Sequence, residues 1–350
     1  MEIHEILGAW YEKEKRDLPW RNTSNPYRIW LSEVILQQTR VAQGTEYYLR
    51  FLEKFPDIFS LAEANTNDVL KIWQGLGYYS RARNLHETAR YLASHRNGEF
   101  PGSHAGLLKL KGIGDYTAAA ISSIAFKEAQ AAVDGNVKRV ISRLFSVREA
   151  INSPEGLRTI NALAREILDP ENPGRHNQAV MELGACICLP KKPRCINCPL
   201  NAVCMALKEN TAGELPLKYG KVKVRNRFFT YLIIRQNEKT WLKQRGAGDI
   251  WQGLFEFPLI ETQSQCKIND YPSLLSEHLK TKDGEMQIIR VSDPVIHKLS
   301  HQNLICSFIH ISFSGDTNLT HIAGNAISIS EFDAFPVPKL IERYISVSGF

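Results

Sequence analysis

Four thiols and two carboxylates stand in this chain at spacings and in surroundings suited to chemistry. Cys188, Cys195, Cys198 and Cys204 read C-x6-C-x2-C-x5-C, and four thiolates in one short stretch are what an iron–sulfur cluster requires. Zinc is the competing metal, although its four-cysteine sites are usually built from two separated C-x2-C knuckles, and this stretch has one. Lys191, Lys192 and Arg194, between the first two cysteines, give the loop a basic face suited to phosphates. Glu33 lies in RIWLSEVILQQTRV, an apolar helical stretch where an unpaired carboxylate would keep its proton near neutrality and be able to donate it. A structural acid on a polar helix face is the alternative there. Asp134, in VDGN, precedes a helix expected to begin near Val137 and suits its N-cap, whatever else it does.

The elements that must position these groups are mostly helical. Residues 107–136 read as a helical turn, a Gly-Ile-Gly elbow at Gly112 and Gly114, and a second helix starting near Asp115 or Tyr116. The amides opening that helix lack intrahelical partners and, with the helix dipole, make a seat for an anion such as a phosphate. A plain tight corner between helices would use the same glycines. From residue 3 to about 207 apolar residues recur at helical spacing, interrupted at 21–26, 56, 75–77, 97–103 and 170–174, with no strand alternation. Residues 208–227 are polar and basic and carry Gly213, Pro216 and Gly220, the composition of a linker. Beyond them, strands are expected at 228–235, 240–244, 253–259 and 304–313, with helices at 272–279 and 338–345. The second half is therefore α+β.

Composition sets the class. The 350 residues suffice for two cores, and a hydrophobic content of 43% suits a globular chain. No apolar run has the length of a membrane span, and the N-terminal MEIHEILGAWYEKEKR mixes acids and bases over a helical apolar stripe, unlike a targeting segment. A cytoplasmic location with no targeting signal is expected. The net charge of +6 is compatible with nucleic acid. Seven cysteines, four of them crowded into 188–204, argue for metal before disulfide. Cys186 falls outside the pattern, and Cys266 and Cys306 read as ordinary buried thiols.

The motifs LKGIGDYTAAA and VDGNVKRV resemble the helix-hairpin-helix and following aspartate loop of the DNA glycosylase superfamily that includes endonuclease III, and the cysteine spacing is similar to that of its iron–sulfur members. Within it LPW at 18–20, WLSEVILQQT at 30–39, GLGYYSRARNL at 75–85 and MELGA at 181–185 resemble the MutY-type adenine glycosylases, which act on adenine paired with 8-oxoguanine. The resemblance runs over essentially the whole chain. It implies a multidomain protein: an all-α helix-hairpin-helix glycosylase domain (1–207) with an iron–sulfur module at about 186–206, a linker at 208–227, and an α+β Nudix-like recognition domain (228–350).

The resemblance also implies roles. Glu33 would be the general acid that protonates the leaving adenine, and Asp134 the carboxylate that stabilises or captures the oxocarbenium-like sugar, ordered by Asn136. Gln37, Gln38 and Tyr78 would wedge into the duplex, with Thr39 beside them, and Trp20, Arg21 and Glu182 would line the pocket for the extruded base. Gly112 and Gly114 would grip the backbone, and Cys188, Cys195, Cys198 and Cys204 would hold a 4Fe-4S cluster. Members that also cut the strand place a lysine where this chain has Tyr116; a phenol cannot form the imine, so a monofunctional enzyme is expected. In HKLSHQNL, Leu299 stands where the family has phenylalanine, with Ser300 and His301 retained to bond the damaged guanine. No run of glutamates follows Pro258, which speaks against a Nudix-type 8-oxo-nucleotide hydrolase, as Tyr116 speaks against an endonuclease III-like lyase. The expected partner is double-stranded DNA containing adenine opposite 8-oxoguanine or guanine, bound by a nucleoid-associated monomer.

Overall fold

The computed structural model describes residues 2–220, 223–279, 286–313 and 324–350; of the expected linker, 221 and 222 lie outside them. The chain forms two compact units, one of residues 1–63 and 84–220, the other of 64–83 and 221–350. Among the described residues no helix is long and apolar enough to cross a membrane.

The described part of residues 2–220 contains helices and loops without a strand: α1 (Ile3–Glu14), α2 (Pro26–Leu36), α3 (Val41–Lys54), α4 (Ile58–Glu63), α5 (Thr66–Trp73), α6 (Ser80–His95), α7 (His104–Leu107), α8 (Asp115–Phe126), α9 (Gly135–Leu144), α10 (Pro154–Glu166), α11 (Pro173–Cys186) and α12 (Met205–Lys208). Their starts are written in the sequence. Pro26, Pro154 and Pro173 occupy first-turn positions, where a missing N–H costs nothing, and Asn25 and Ser153 accept the N–H of Arg28 (3.2 Å) and Gly156 (3.1 Å). Helix α2 is apolar nearly all round and is buried from Ile29 to Ile35, which carries Glu33 into the interior, and it packs on α8. A core of Leu7, Val140, Ile141, Ile160 and Leu183 joins α1, α9, α10 and α11, and Cys188, Cys198 and Cys204 pack against it. Helices α9 and α11 meet closely because Gly184 lacks a side chain: a Cβ there would stand 2.6 Å from that of Asn136.

The second unit is built on a sheet of order β4-β1-β7-β5, with β6 also on β7. These strands are β1 (Arg225–Arg235), β4 (Leu259–Thr262), β5 (Met286–Val291), β6 (Val295–Lys298) and β7 (Gln302–Phe313); β2 (Lys239–Gln244), β3 (Phe255–Glu256) and β8 (Asn325–Ser328) form a smaller sheet. The central pair β1–β7 is parallel and runs in register from Arg225↔Gln302 to Arg235↔Ser312. Phe229, Tyr231 and Ile233 face Leu340 and Ile341 of α14 (Lys339–Ser348), while Leu232 and Ile234 face Leu275 and Leu279 of α13 (Tyr271–Leu279). A strand covered on both faces is rich in apolar residues on both, so β1 and β7 are conspicuous in the sequence despite Thr230, Ser307 and His310.

Shorter strands are not conspicuous. The expected strand at 253–259 is the two-residue β3, a break at Phe257–Pro258 and then β4, since proline cannot donate to a ladder. Strands β5, β6 and β8 go unpredicted because their residues are largely exposed and their apolar pattern is weak. β1 begins at Arg225, within the basic stretch read as a linker. Helix α5 and the following loop, early in the chain, belong to the second unit: Lys71 Nζ donates to the Phe335 carbonyl (3.1 Å) and the Val337 N–H to Gln74 Oε1 (3.0 Å).

Candidate active site

In the first unit a cleft of about 540 Å³ is lined by Trp20, Arg21, Glu33, Gln37, Gln38, Thr39, Tyr116, Asp134, Asn136 and Glu182. Residues dispersed over some 160 positions thus share one wall. Glu33 on α2 is only 8% exposed. Burial pushes its carboxyl up to about 7; the hydrogen bond that the Tyr116 hydroxyl donates to Oε2 (2.5 Å) pulls the other way, and the nearby Asp134 adds to the rise. The phenol itself is raised well above its usual range by burial and by Glu33, so it remains a donor.

Asp134 caps α9. Its Oδ1 accepts the Val137 N–H (2.7 Å) and its Oδ2 the Asn136 side-chain amide (2.8 Å). Burial raises its carboxyl too, but those two hydrogen bonds and the Arg139 charge oppose the rise. Both carboxyls of the cleft are raised by burial, but Glu33 has a single opposing hydrogen bond while Asp134 has several and the Arg139 charge besides, an asymmetry suited to acid-assisted glycosidic cleavage.

Glu182, 1% exposed on α11, is the third acid. Burial alone would raise it, but Arg16 donates Nε to Oε1 (2.7 Å) and Nη2 to Oε2 (2.6 Å), Arg21 donates Nη2 to Oε2 (2.6 Å), and the carboxyl is held at about 2. Arg16 is a cleft residue that the sequence reading missed; the signal was a cation two residues ahead of a buried Leu18 in RDLPWR. Lys138, Gln178 and Met181 also line the cleft, and none of them is among the expected site residues. Gln38 holds a left-handed backbone (φ 58°) at the rim, and Gln37 donates to Thr117 Oγ1 (3.2 Å).

The hairpin glycines lie outside this cleft. Gly112 needs its φ of +76°, since a Cβ would stand 2.6 Å from that of Asn84, whereas a Cβ on Gly114 would meet nothing within 4 Å. Gly114 is the N-cap of α8 with no side chain closing it, so the first amides of that helix are open to an approaching anion.

The four cysteines of the 188–204 stretch are free thiols whose charges act on one another. Burial first, then the neighbouring thiols, push Cys198 up to about 11. Arg143 Nη1 donates to Cys188 Sγ (3.3 Å) and the Cys204 thiol lies 3.5 Å from the Arg143 carbonyl. Arg139 ties this region to the cleft: it donates Nε to the Cys188 carbonyl (2.7 Å) and Nη2 to Asn136 Oδ1 (2.9 Å). Among the described residues no three His, Cys, Asp or Glu side chains are grouped closely enough to hold a metal ion.

Tyr78, Leu299, Ser300 and His301 gather elsewhere, on a pocket of about 450 Å³ in the second unit. Tyr78 is 47% exposed at φ 47°, directly after Gly75 (φ 97°) and Gly77 (φ 74°), under the Arg81 guanidinium at 5.7 Å. Ser300 and His301 are exposed and 3.3 Å apart, Oγ to Nδ1.

With this geometry in hand, likeness to known proteins becomes decisive. Residues 31–170 match the family described as HhH-GPD superfamily base excision DNA repair protein, and residues 230–347 match the NUDIX domain. An adenine DNA glycosylase of Buchnera aphidicola subsp. Acyrthosiphon pisum is 33% identical over 298 residues, 85% of this chain and 83% of that protein. The chain belongs to the MutY-type adenine DNA glycosylase family. The human adenine DNA glycosylase is 43% identical over an alignment covering 97% of this chain and 73% of that protein. The solved structure of a thermostable thymine-DNA glycosylase shares 28% identity and a TM-score of 0.54, covering 59% of this chain and 95% of that one. An endonuclease III–DNA complex, at 24% identity and a TM-score of 0.51, shares the fold. This MutY-type chain is a DNA N-glycosylase with an all-α helix-hairpin-helix domain followed by a Nudix-like α+β region.

Proposed function

We propose that this chain excises adenine paired with 8-oxoguanine or guanine from duplex DNA and leaves the abasic strand uncut. The observation that carries the proposal is Glu33, buried in the cleft and raised to about 7 beside Asp134. Near neutrality a protonated Glu33 gives its proton to the extruded adenine as the bond from sugar C1′ to the base breaks. The electron pair leaves with the neutral base. Asp134, whose carboxylate accepts hydrogen bonds from Val137 and Asn136, faces the positive charge left on the sugar. Water then adds at C1′ and its proton goes to the Glu33 carboxylate, restoring the acid. Glu182, fixed between two arginines, offers a rigid polar wall to the base. Tyr116 supplies no amine, so no imine forms with the sugar and the product is an intact strand bearing an abasic site.

The cysteine donors suit a 4Fe-4S cluster. All four are free thiols of one short stretch, and Cys188, Cys198 and Cys204 pack against the same core. Cys188, Cys195, Cys198 and Cys204 would hold the cluster, which when bound supplies a rigid, redox-capable anchor for the basic loop of Lys191, Lys192 and Arg194. In the second unit Ser300 and His301 offer hydrogen bonds to an oxidised purine, and Tyr78 and Leu299 offer apolar faces to the stack. A Nudix hydrolase is disfavoured: α13 carries a single acid, Glu277, while Arg227 and Arg245 occupy Asp249, Glu256 and Glu261. The same reading makes the chain a monomer acting at the nucleoid in the cytoplasm.

The test is single-turnover incubation with duplexes carrying adenine opposite 8-oxoguanine, guanine or thymine, with borohydride added in parallel. Adenine release from the first two and no trapped adduct are expected. Release from the adenine:thymine duplex at the same rate, or stoichiometric trapping with strand cleavage, would reject the proposal.

A further inference from the structure

The pocket that holds Ser300 and His301 carries more chemistry than lesion reading has been assigned. Its lining includes Trp251, His297 and the cations Arg83, Lys298, Lys339 and Arg343. Trp251 holds a left-handed backbone (φ 60°), a conformation that costs a bulky side chain roughly 1–2 kcal/mol. The turn is nevertheless fixed from several sides. Arg83 Nη1 donates to the Gln252 carbonyl (2.7 Å), Arg245 Nε to the Ile250 carbonyl (2.8 Å), and the Leu254 N–H to the Trp251 carbonyl (2.9 Å). Asp249 at the head of the turn is bound by both Arg227 and Arg245 (2.7 and 2.6 Å). Trp251 is partly buried, packed against the core of the second unit and meeting His297 edge-on at 5.7 Å, so that its ring is fixed where it lines the pocket.

Charge supplies a second, independent observation. The one acid on the lining is Asp249, and its oxygens are engaged by arginines, so the lining Lys and Arg side chains leave the pocket net positive. Lys339 and Arg343 stand one turn apart on α14 and so share a face; the Lys339 partner, Glu342 at 3.0 Å, is a half-exposed group that a phosphate would displace. A flat aromatic wall with cations at one end is the chemistry that receives a nucleotide, ring and phosphate together.

We propose that Trp251 is the wall against which the oxidised purine packs and that Lys339 and Arg343 hold a phosphate of the same strand. The inference rests on reading this pocket as the 8-oxoguanine site, and its test separates the two. Full-length protein is titrated with duplexes carrying a tetrahydrofuran abasic analogue opposite 8-oxoguanine or guanine, at several salt concentrations. Trp251→Asn, whose side chain tolerates the left-handed backbone, should lose at least about fivefold of the preference for 8-oxoguanine, and Trp251→Phe should keep it. Lys339→Ala and Arg343→Ala should weaken both duplexes by the same factor, each lowering the slope of log K against log salt by about 1. An undiminished preference in Trp251→Asn, or an unchanged salt slope in both alanine variants, would overturn the inference. If Ser300→Ala and His301→Ala lower the preference while Trp251→Asn does not, this inference fails alone; if none of the three lowers it, the reading of the pocket fails with it.

Discussion

Glu33 of the first unit and Asp249 of the second are acids handled in opposite ways. In the first unit Glu33 is buried beside another carboxylate, with a phenol for a partner, and keeps its proton to about pH 7. In the second, Asp249 is gripped by Arg227 and by Arg245 and falls to about 2, and Glu256, which burial pushes up, has Arg245 at 2.6 Å. Burial without a cation makes an acid that can give a proton; pairing with arginine makes a brace. The first unit uses both devices, with Glu182 braced by Arg16 and Arg21 beside the cation-free Glu33, and it is Glu33 that suits its cleft to bond cleavage.

The largest way to break the comparison is to remove the two catalytic candidates. Glu33→Gln keeps the shape and loses the proton, and adenine excision should fall about 10²- to 10⁴-fold with duplex binding retained. Asp134→Asn should cost a comparable factor, since a neutral amide cannot face a cationic sugar. Single-turnover rates beside equilibrium binding decide the matter, and a wild-type rate in either variant refutes its assignment.

The brace is tested next. Arg245→Ala leaves Glu256 buried without its cation and should destabilise the second unit by about 3–5 kcal/mol, read as a lowered denaturation midpoint. Arg245→Met combined with Glu256→Gln should recover much of the loss. Equal damage from both variants would show that the arginine acts through packing.

Much of this was legible in the sequence, for identifiable reasons. Glu33 could be read because its helix is apolar on nearly every side, and Asp134 because an N-cap acid before VKRV is local. β1 was visible as the nearly continuous apolar run FFTYLII, and β7 as an apolar-rich run broken by Ser307, His310 and Ser312. What escaped depends on distance. Arg16 reaches Glu182 across 166 positions, and Arg139 joins the Cys188 carbonyl to Asn136, pairings that no local pattern encodes. Trp251, Lys339 and Arg343 share a pocket with Tyr78 only because the loop after α5 belongs to the second unit. Strands β5 and β6 expose Ile289 and Ile296, so their alternation carries little signal.

A smaller effect concerns stability. A carboxyl raised from 4.5 to about 7 binds more protons folded than unfolded, so its contribution falls as pH rises through that window and stays low above it. Ionised Glu33 thus costs about 3 kcal/mol at pH 8. Glu33→Gln should be more stable than wild type at pH 8 and nearly equal at pH 4.5, in urea denaturation at both values. Equal stability at pH 8 would mean that the carboxylate finds a partner or water when ionised.

The subtlest test concerns Tyr116. Its hydroxyl donates to Glu33 Oε2, an interaction that favours the ionised acid, while burial and Asp134 favour the protonated one. Excision by wild type should decline above about pH 7 as the acid is lost. Tyr116→Phe removes the one opposing influence, so the carboxyl should hold its proton to higher pH and the alkaline limb should move upward. Losing a hydrogen bond to a charged group corresponds to roughly tenfold in protonation, so the variant could match or exceed wild type at pH 8.5 while falling below it at pH 6.5 if the phenol also orients the acid. The pH profiles of single-turnover rates separate these roles. A displaced limb makes Tyr116 a tuner of the acid, an unmoved limb with a lower plateau makes it a positioning residue, and superimposable profiles would leave it as the absence of a lysine and nothing more.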